Sequence, residues 1–181
     1  MKKISFAAAV LIAFTFSASA QRQQNSALKM NPISLVVKTG NISYERAVSQ
    51  NQSIQVGAFY SGFSVEDVKY SGFGITPEFR FYFGGQKEVF NGGYVAPFVR
   101  YQNFTLEKTE EKAKADFTTM GGGAIIGWQK TWNSGFIVDV FAGPAYNHLK
   151  FDVKENIEEF DVKSAIKGFG LRTGITIGFT F

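Results

Sequence analysis

Hydrophobic and polar residues alternate along most of this chain with a period of two, which is typical of β-strands with one apolar face. Between residues 70 and 83, Phe73, Phe79 and Phe81 fall on one face, whereas Glu78 and Arg80 fall on the other. The same alternation predicts six clear strands, at residues 53–63, 70–83, 93–105, 117–129, 136–147 and 170–181.

The segment from 28 to 48 carries two shorter patterns, at residues 30–37 and 42–48. Between them, Lys38-Thr39-Gly40-Asn41 predicts a hairpin turn, because Gly and Asn tolerate positive φ. Two strands here make eight in total, and one long strand would make seven. Bacterial outer-membrane barrels have even strand numbers, so we predict eight.

The connections between the predicted strands alternate in length. Residues 49–52 and 131–135 are short, whereas 64–69, 107–116 and 150–167 are longer and rich in charge. Short turns at one end and long polar loops at the other are typical of an up-and-down transmembrane barrel. The connection at 84–92 departs from this rule, because it has nine residues at the short-turn end.

Three prolines fall inside predicted strands, at Pro77, Pro97 and Pro144. Proline has no backbone N–H to donate to a strand ladder, and a closed barrel has no edge strand to accommodate it. We therefore expect β-bulges at these positions.

The N-terminus has the pattern of a secretory signal peptide. Lys2 and Lys3 precede an apolar run from Ile4 to Phe16, and small residues lead up to Ala20. This predicts a cleaved signal peptide at 1–20 and a barrel domain at 21–181. The apolar run is too short to favour a membrane anchor.

Composition narrows the function further. The 181 residues include 20 Phe and 19 Gly but no Cys, which excludes a disulfide scaffold, a thiolate metal site and a cysteine nucleophile. Lys2 and Lys3 also contribute half of the net charge of +4, so the basic balance is no evidence for nucleic acid as a partner.

The distribution of charge between the two strand faces favours a membrane barrel. Outward charges would be too few, and glycine too common, for a solvated surface, so we predict that the apolar face contacts lipid. The other face carries the charged residues that we assign to the lumen: Glu45, Glu78, Arg80, Arg100, Asp139 and Arg172. Inside a narrow barrel these charges are expected to pair as a structural plug. A soluble, lipocalin-like ligand-binding barrel and a narrow pore or small-solute channel remain alternatives.

Aromatic residues lie near both ends of the predicted strands, as in the interfacial girdles of membrane barrels. The predicted girdles comprise Tyr60, Tyr101 and Tyr146 near the loop ends, and Phe83, Trp128, Phe136 and Phe181 near the turn ends.

Candidate chemistry is sparse. The single histidine, His148, is followed by Asp152 and Ser164, which leaves a barrel-embedded acyltransferase as a remote alternative. Gly121-Gly122-Gly123 lacks the helix and the Lys-Ser/Thr pair of a phosphate loop. We expect no catalysis, no metal and no cofactor.

Several segments resemble small bacterial outer-membrane β-barrel proteins of an uncharacterised family, filed as a domain of unknown function. They are residues 31–35, 41–47, 77–82 and 94–101. The chain is also similar to eight-stranded barrels of the OmpX and OmpA type. Phe181 resembles the terminal aromatic residue recognised by the barrel assembly machinery, which implies that machinery as a partner during biogenesis.

These observations together predict an all-β, closed antiparallel transmembrane β-barrel with eight up-and-down strands, located in the outer membrane of a Gram-negative bacterium. Its expected role is structural, adhesive or surface-interacting, through extracellular loops that contact lipopolysaccharide or a protein. The expected partner of the wall is outer-membrane lipid, and the expected state is a monomer.

Overall fold

The computed structural model describes residues 25–65, 68–108, 113–153 and 168–181. The predicted signal peptide lies outside these residues. None of the helical structure in the described ranges has the length and apolarity needed to cross a membrane.

Eight β-strands follow one another along the chain, each antiparallel to the next. They are β1 (Ser26–Met30), β2 (Thr39–Ala47), β3 (Gln52–Val65), β4 (Val68–Glu88), β5 (Asn91–Lys108), β6 (Ala113–Thr131), β7 (Phe136–Val153) and β8 (Gly168–Thr180). β1 also pairs with β8, which closes the sheet into an up-and-down barrel. The predicted all-β fold and the count of eight strands are confirmed.

The prediction of a strand at residues 30–37 is wrong beyond its first residue. Ile33–Leu35 form a 3-10 helix instead. The side-chain oxygen of Asn31 accepts hydrogen bonds from the backbone N–H groups of Ile33 at 3.0 Å and Ser34 at 3.2 Å. This local capping competes with strand pairing, and the fixed φ of Pro32 suits the helix.

The predicted hairpin turn at residues 38–41 is also displaced. Thr39 already begins β2, and Lys38 alone takes a positive φ, of 54°. The connection between β1 and β2 therefore spans residues 31–38.

The strands extend further toward the loop end than alternation predicts. Residues 64–65, 68–69, 107–108, 113–116 and 150–153, which we assigned to loops, belong to strands. A residue within a ladder satisfies its backbone N–H and C=O whatever its side chain, so polar composition does not end a strand.

The expected bulges at the strand prolines are absent from the described ladders. On either side of Pro77, Ile75 pairs with Tyr101 and Glu78 pairs with Phe98, in one continuous register. Pro144 pairs with Leu171 in an equally regular ladder. A proline removes one donor and leaves the neighbouring hydrogen bonds in place, so a slip in register is unnecessary.

The connection at 84–92 is a hairpin extension rather than a nine-residue loop. Glu88 pairs with Asn91, which leaves Val89 and Phe90 as the turn, and the register shifts between Phe83 and Glu88. Phe90, at a φ of 71°, is only 4% exposed and packs with Ala27 and Ile137. The hairpin thereby folds across the turn end of the lumen and covers it.

A side-chain hydrogen bond ties the turn of this hairpin to the neighbouring strand β6: Thr131 Oγ1 donates to the carbonyl oxygen of Phe90 at 2.7 Å. Thr131→Val is expected to lower the free energy of unfolding by about 1 kcal/mol, because the buried carbonyl loses its partner. Urea titration of the protein refolded in detergent measures the change. Thr173→Val, on the exposed outer face of β8, is the control, and equal effects of the two substitutions would contradict the role of this bond.

Candidate functional site

Charged side chains meet in the centre of the lumen, each projecting from an inward-facing strand position. Strict alternation along the strands puts them there, because the neighbours of each in sequence face outward. The fully or nearly fully buried members of this ionic network are Lys29 from β1, Glu45 from β2, Glu78 and Arg80 from β4, and Asp139 from β7.

Lys29 joins three different strands. Its Nζ lies 2.6 Å from Glu45 Oε2, 3.1 Å from Asp139 Oδ2 and 3.0 Å from Gln129 Oε1. All three protons of the ammonium group thus have acceptors. This geometry ties β1, a strand of only 5 residues, to the far wall.

Arg80 is the second hub of the network. Its Nη1 donates to Asp139 Oδ2 at 2.8 Å and to Gln129 Oε1 at 2.9 Å, and its Nη2 lies 3.3 Å from Glu78 Oε1. The guanidinium carbon also lies 4.3 Å from the centre of the Tyr94 ring. A planar donor group with this many bonds holds the carboxylates at fixed positions.

Neutral side chains donate further hydrogen bonds to the carboxylates. Tyr82 donates its hydroxyl proton to Glu45 at 2.6 Å, and Tyr94 donates to Asp139 at 2.7 Å. Ser53 also donates to Glu45, and Gln55 donates to Glu78. A buried charge is tolerated when pairing and hydrogen bonding offset its lost hydration, and these carboxylates meet that condition.

The structure brings together five of the six predicted lumen charges. Arg172 joins through Glu78, with 3.0 Å between Nη1 and Oε2. Arg100 forms no ion pair within the described residues, and its guanidinium lies 5.6 Å from the centre of the Phe98 ring. The carboxylates therefore pair with a set of cations that differs from the predicted set by one exchange, Lys29 for Arg100.

Sequence reasoning missed Lys29 because the pattern we assigned to a strand began at Met30. The signal was nevertheless present. Leu28 and Met30 are exposed, whereas Ala27 and Lys29 are buried, so Lys29 continues the period-two alternation of the neighbouring residues. A lysine in the inward register of a membrane barrel is a candidate lumen cation.

Aromatic rings occupy much of the lumen around the network, and four of them lie over a glycine of the neighbouring strand. The four directly opposed pairs are Phe59 with Gly74, Phe104 with Gly72, Tyr94 with Gly127, and Phe141 with Gly174. In each pair the ring occupies the space that a Cβ atom at the glycine would take. These four glycines of the inner face thus leave the space that the rings occupy.

Gly127 offers a direct test of this packing. Gly127→Ala is expected to lower the free energy of unfolding by between about 1 and 3 kcal/mol, because the added methyl group displaces the Tyr94 ring from Asp139. Gly170→Ala is the matched control, since a Cβ there meets no atom within 4 Å. Urea unfolding of both variants measures the difference, and a neutral Gly127→Ala would contradict the seating of the ring.

The outer wall is a belt of exposed apolar side chains. Its members include Leu28, Ile42, Ile54, Val56, Phe73, Ile75, Phe81, Val95, Val99, Ile126, Val140, Ile175 and Phe179. Six of the seven residues that we assigned to the girdles are also exposed on the wall or at its margin, whereas Phe136 is half-buried; the six are Tyr60, Phe83, Tyr101, Trp128, Tyr146 and Phe181. The polarity of the two faces is thus reversed relative to a water-soluble barrel, because charged side chains lie in the lumen and apolar side chains cover the outer wall.

The remaining candidate residues form no reactive centre among the described side chains. His148 is exposed and pairs across strands with the outward-facing Met120, so it points away from the lumen. The side chains of Asp152 and Ser164 lie outside the described residues. No group of three or more His, Cys, Asp or Glu side chains in the described ranges has the geometry to hold a metal ion.

Comparison with known proteins bears on the family and on the fold. The family model described as "Protein of unknown function (DUF3575)" matches residues 6–168. The search of curated proteins gives no match. Among solved structures, the chain is similar to the N-terminal β-barrel domain of Pseudomonas aeruginosa OprF, at 14% identity and a TM-score of 0.53. The similarity covers 89% of this chain and 100% of that one.

Proposed function

Because this chain belongs to the family described as Protein of unknown function (DUF3575), which carries no activity in its description, we propose a function from the barrel itself. We propose that the protein is an outer-membrane β-barrel with a closed lumen, which presents its loop end for contacts at the cell surface. The family match confirms the resemblance to an uncharacterised family that the sequence predicts.

The reversed polarity of the wall is the observation that carries the proposal. The outward-facing Val99 is 61% exposed and Ile126 is 60% exposed, whereas Lys29 and Arg80 in the lumen are 1% and 0% exposed. Exposed apolar area on this scale is unfavourable in water and favourable in hydrocarbon. Because the sheet is closed along most of the wall, its backbone N–H and C=O groups hydrogen-bond to neighbouring strands and leave no edge strand there. A bilayer requires this, since its core offers no water to unpaired backbone groups.

The filled lumen supports a role without conduction. The ionic network crosses the centre, and the Val89–Phe90 hairpin covers the turn end. An eight-stranded barrel has an interior that side chains can fill, and here they do. These contacts argue against the alternative of a narrow channel, and the outward position of His148 argues against the acyltransferase.

The strand lengths support a surface role at the loop end. β4 to β7 contain 21, 18, 19 and 18 residues, whereas β1 and β2 contain 5 and 9. The long strands extend one side of the barrel toward the loop end. We propose that this extension supports an adhesive or structural contact with lipopolysaccharide or a protein, that lipid surrounds the wall of a monomer, and that the barrel assembly machinery inserts it.

Membrane fractionation combined with a heat-modifiability gel tests the proposal. We expect the expressed full-length protein in the outer-membrane fraction, with faster migration before boiling than after. Recovery in the soluble periplasmic fraction would overturn the proposal and favour a ligand-binding barrel.

Planar bilayers test the closed lumen separately. We expect the inserted protein to produce no steady channel current. Stable single-channel steps from protein purified to homogeneity would replace the closed barrel with the narrow pore.

A further inference from the structure

Arg100 is the lumen cation that has no carboxylate partner within the described residues. The three buried carboxylates, those of Glu45, Glu78 and Asp139, are already bound by three other cations, namely Lys29, Arg80 and Arg172. The network is therefore balanced without Arg100, whose charge is in excess. A partly buried guanidinium in a low-dielectric lumen calls for an anion.

The surplus charge lies in an aromatic setting beside a second arginine. Arg100 and Arg172 both lie over the ring of Phe98, at 5.6 and 4.5 Å from its centre. Arg172 also lies 4.9 Å from the centre of the Phe141 ring. An anion that reached Arg100 would find two guanidinium groups and two apolar ring surfaces, which suits a ligand with both a charged and an apolar part.

The wall next to Arg172 is not closed by backbone pairing. β1 ends at Met30, which pairs with Ile177, whereas β8 begins at Gly168. Within the described residues, the part of β8 from Gly168 to Thr176 pairs with β7 alone. Among the described residues, this leaves a gap in backbone pairing between β8 and the β1–β2 connection.

Both rims of the gap are apolar and exposed. On β8, Phe169 is 89% exposed and Leu171 is 75% exposed, and on the β1–β2 connection Ile33, which faces the same groove as Thr173, is 55% exposed. Gly170 lies between Phe169 and Leu171 on the inner face, in register with Arg172, and a Cβ atom there would meet no atom within 4 Å. Within the described residues, the lumen next to Arg172 is therefore open space on the inner side of these rims.

An apolar groove continues from this gap along the outside of the barrel. It has a volume of about 770 Å³ and runs between the start of the β1–β2 connection and the outer faces of β6 to β8. Its lining includes Ile33, Trp128, Val140, Thr173 and Ile175. Thr173 follows Arg172 directly but points outward, so the groove and the arginine pair lie on opposite sides of β8, and the gap beside β8 is the route between them.

We propose that this barrel binds a single-chain anionic amphiphile of the long-chain carboxylate class. The carboxylate pairs with Arg100 beside Arg172, and the hydrocarbon tail leaves through the gap in the wall into the outer groove. The charge surplus recognises the head, and the apolar rims recognise the tail. The inference rests on the proposed membrane barrel, because the groove faces hydrocarbon only in that setting.

Binding of laurate labelled with ¹³C at the carboxyl carbon tests the proposal. The folded protein in a neutral maltoside detergent is titrated, and the carboxyl resonance reports binding. We expect saturable binding that weakens at least tenfold in Arg100→Gln and in Gly170→Leu, whose side chain occupies the open lumen space two residues from Arg172. Arg46→Gln is the matched control, because Arg46 is an exposed arginine on β2, and we expect no change.

Two binding results would contradict the proposal. Acetate that binds as tightly as laurate would reduce the site to a small-anion site, and competition by dodecanol equal to that by laurate would remove the role of the charge. If Arg100→Gln fails to fold, Arg100→Lys and Gly170→Leu still test the head and the tail. No laurate binding by protein that migrates as a folded barrel overturns this inference alone, whereas the absence of that folded form overturns the proposed function.

Discussion

Replacing Asp139 with asparagine is expected to lower the free energy of unfolding by about 3–5 kcal/mol, the range for removing one partner of a buried ion pair. Asp139 Oδ2 accepts from Arg80 at 2.8 Å and from Lys29 at 3.1 Å, and Oδ1 accepts from Tyr94. Asparagine keeps the size of the side chain but removes its charge. Lys29 and Arg80 would then share fewer carboxylates in a site that is buried from solvent.

A double variant separates this effect from a loss of packing. Lys29→Met with Asp139→Asn removes one charge of each sign, so the network stays balanced. We expect the double variant to lose less stability than the two single variants combined. Glu88→Gln, an exposed carboxylate at the end of β4, is the control for loss of negative charge and is expected to be nearly neutral.

Urea unfolding in detergent, followed by tryptophan fluorescence, measures these variants. A change below about 1 kcal/mol for Asp139→Asn, the size expected of an exposed pair, would contradict a dry ionic network. Strict additivity in the double variant would contradict the coupling between Lys29 and Asp139.

The second large effect is expected on the outer wall. Val140→Arg is expected to destabilise the barrel in a lipid bilayer by about 2–4 kcal/mol, the range for a basic residue facing lipid at mid-depth. Val140 points outward, between Tyr146 toward one end of β7 and Phe136 at the other. The guanidinium must either leave water or pull water and headgroups toward the centre of the bilayer.

A matched valine outside the apolar belt provides the control. Val48 lies in the turn between β2 and β3 and is 50% exposed, so Val48→Arg is expected to cost no more than about 1 kcal/mol. Reversible unfolding from phospholipid bilayers by urea measures both variants. Equal effects at the two positions would contradict a lipid-facing wall and would favour a water-soluble barrel.

The faces of the strands were predictable because alternation is a local property. Glu78 and Arg80 lie two residues apart on β4, and the outward Phe79 between them assigns both to the inside. The partners of these charges were not predictable in the same way. Lys29 and Asp139 are 110 positions apart in the sequence, and only closure of the barrel between β1 and β8 brings them together.

One error in the prediction, the strand at residues 30–37, has a local cause. Asn31 caps the turn after β1, and this side-chain contact competes with a strand pattern that is otherwise plausible. The error at Val89–Phe90 has a long-range cause instead. This stretch looks like part of a long loop in the sequence, but contacts with Thr131 and Ile137 from other strands hold it under the barrel.

The sequence by itself therefore determined the class of fold and, within the strands it predicted correctly, which side chains face inward, because a period of two along each strand carries that information. The count of eight also needed the even strand number of outer-membrane barrels. The tertiary structure alone decided that Lys29 completes the ionic network and, among the described residues, that Arg100 has no carboxylate partner and that β8 is unpaired on one side beside Arg172. Those three features depend on the register and length of strands that are distant in sequence, and local alternation does not encode either quantity.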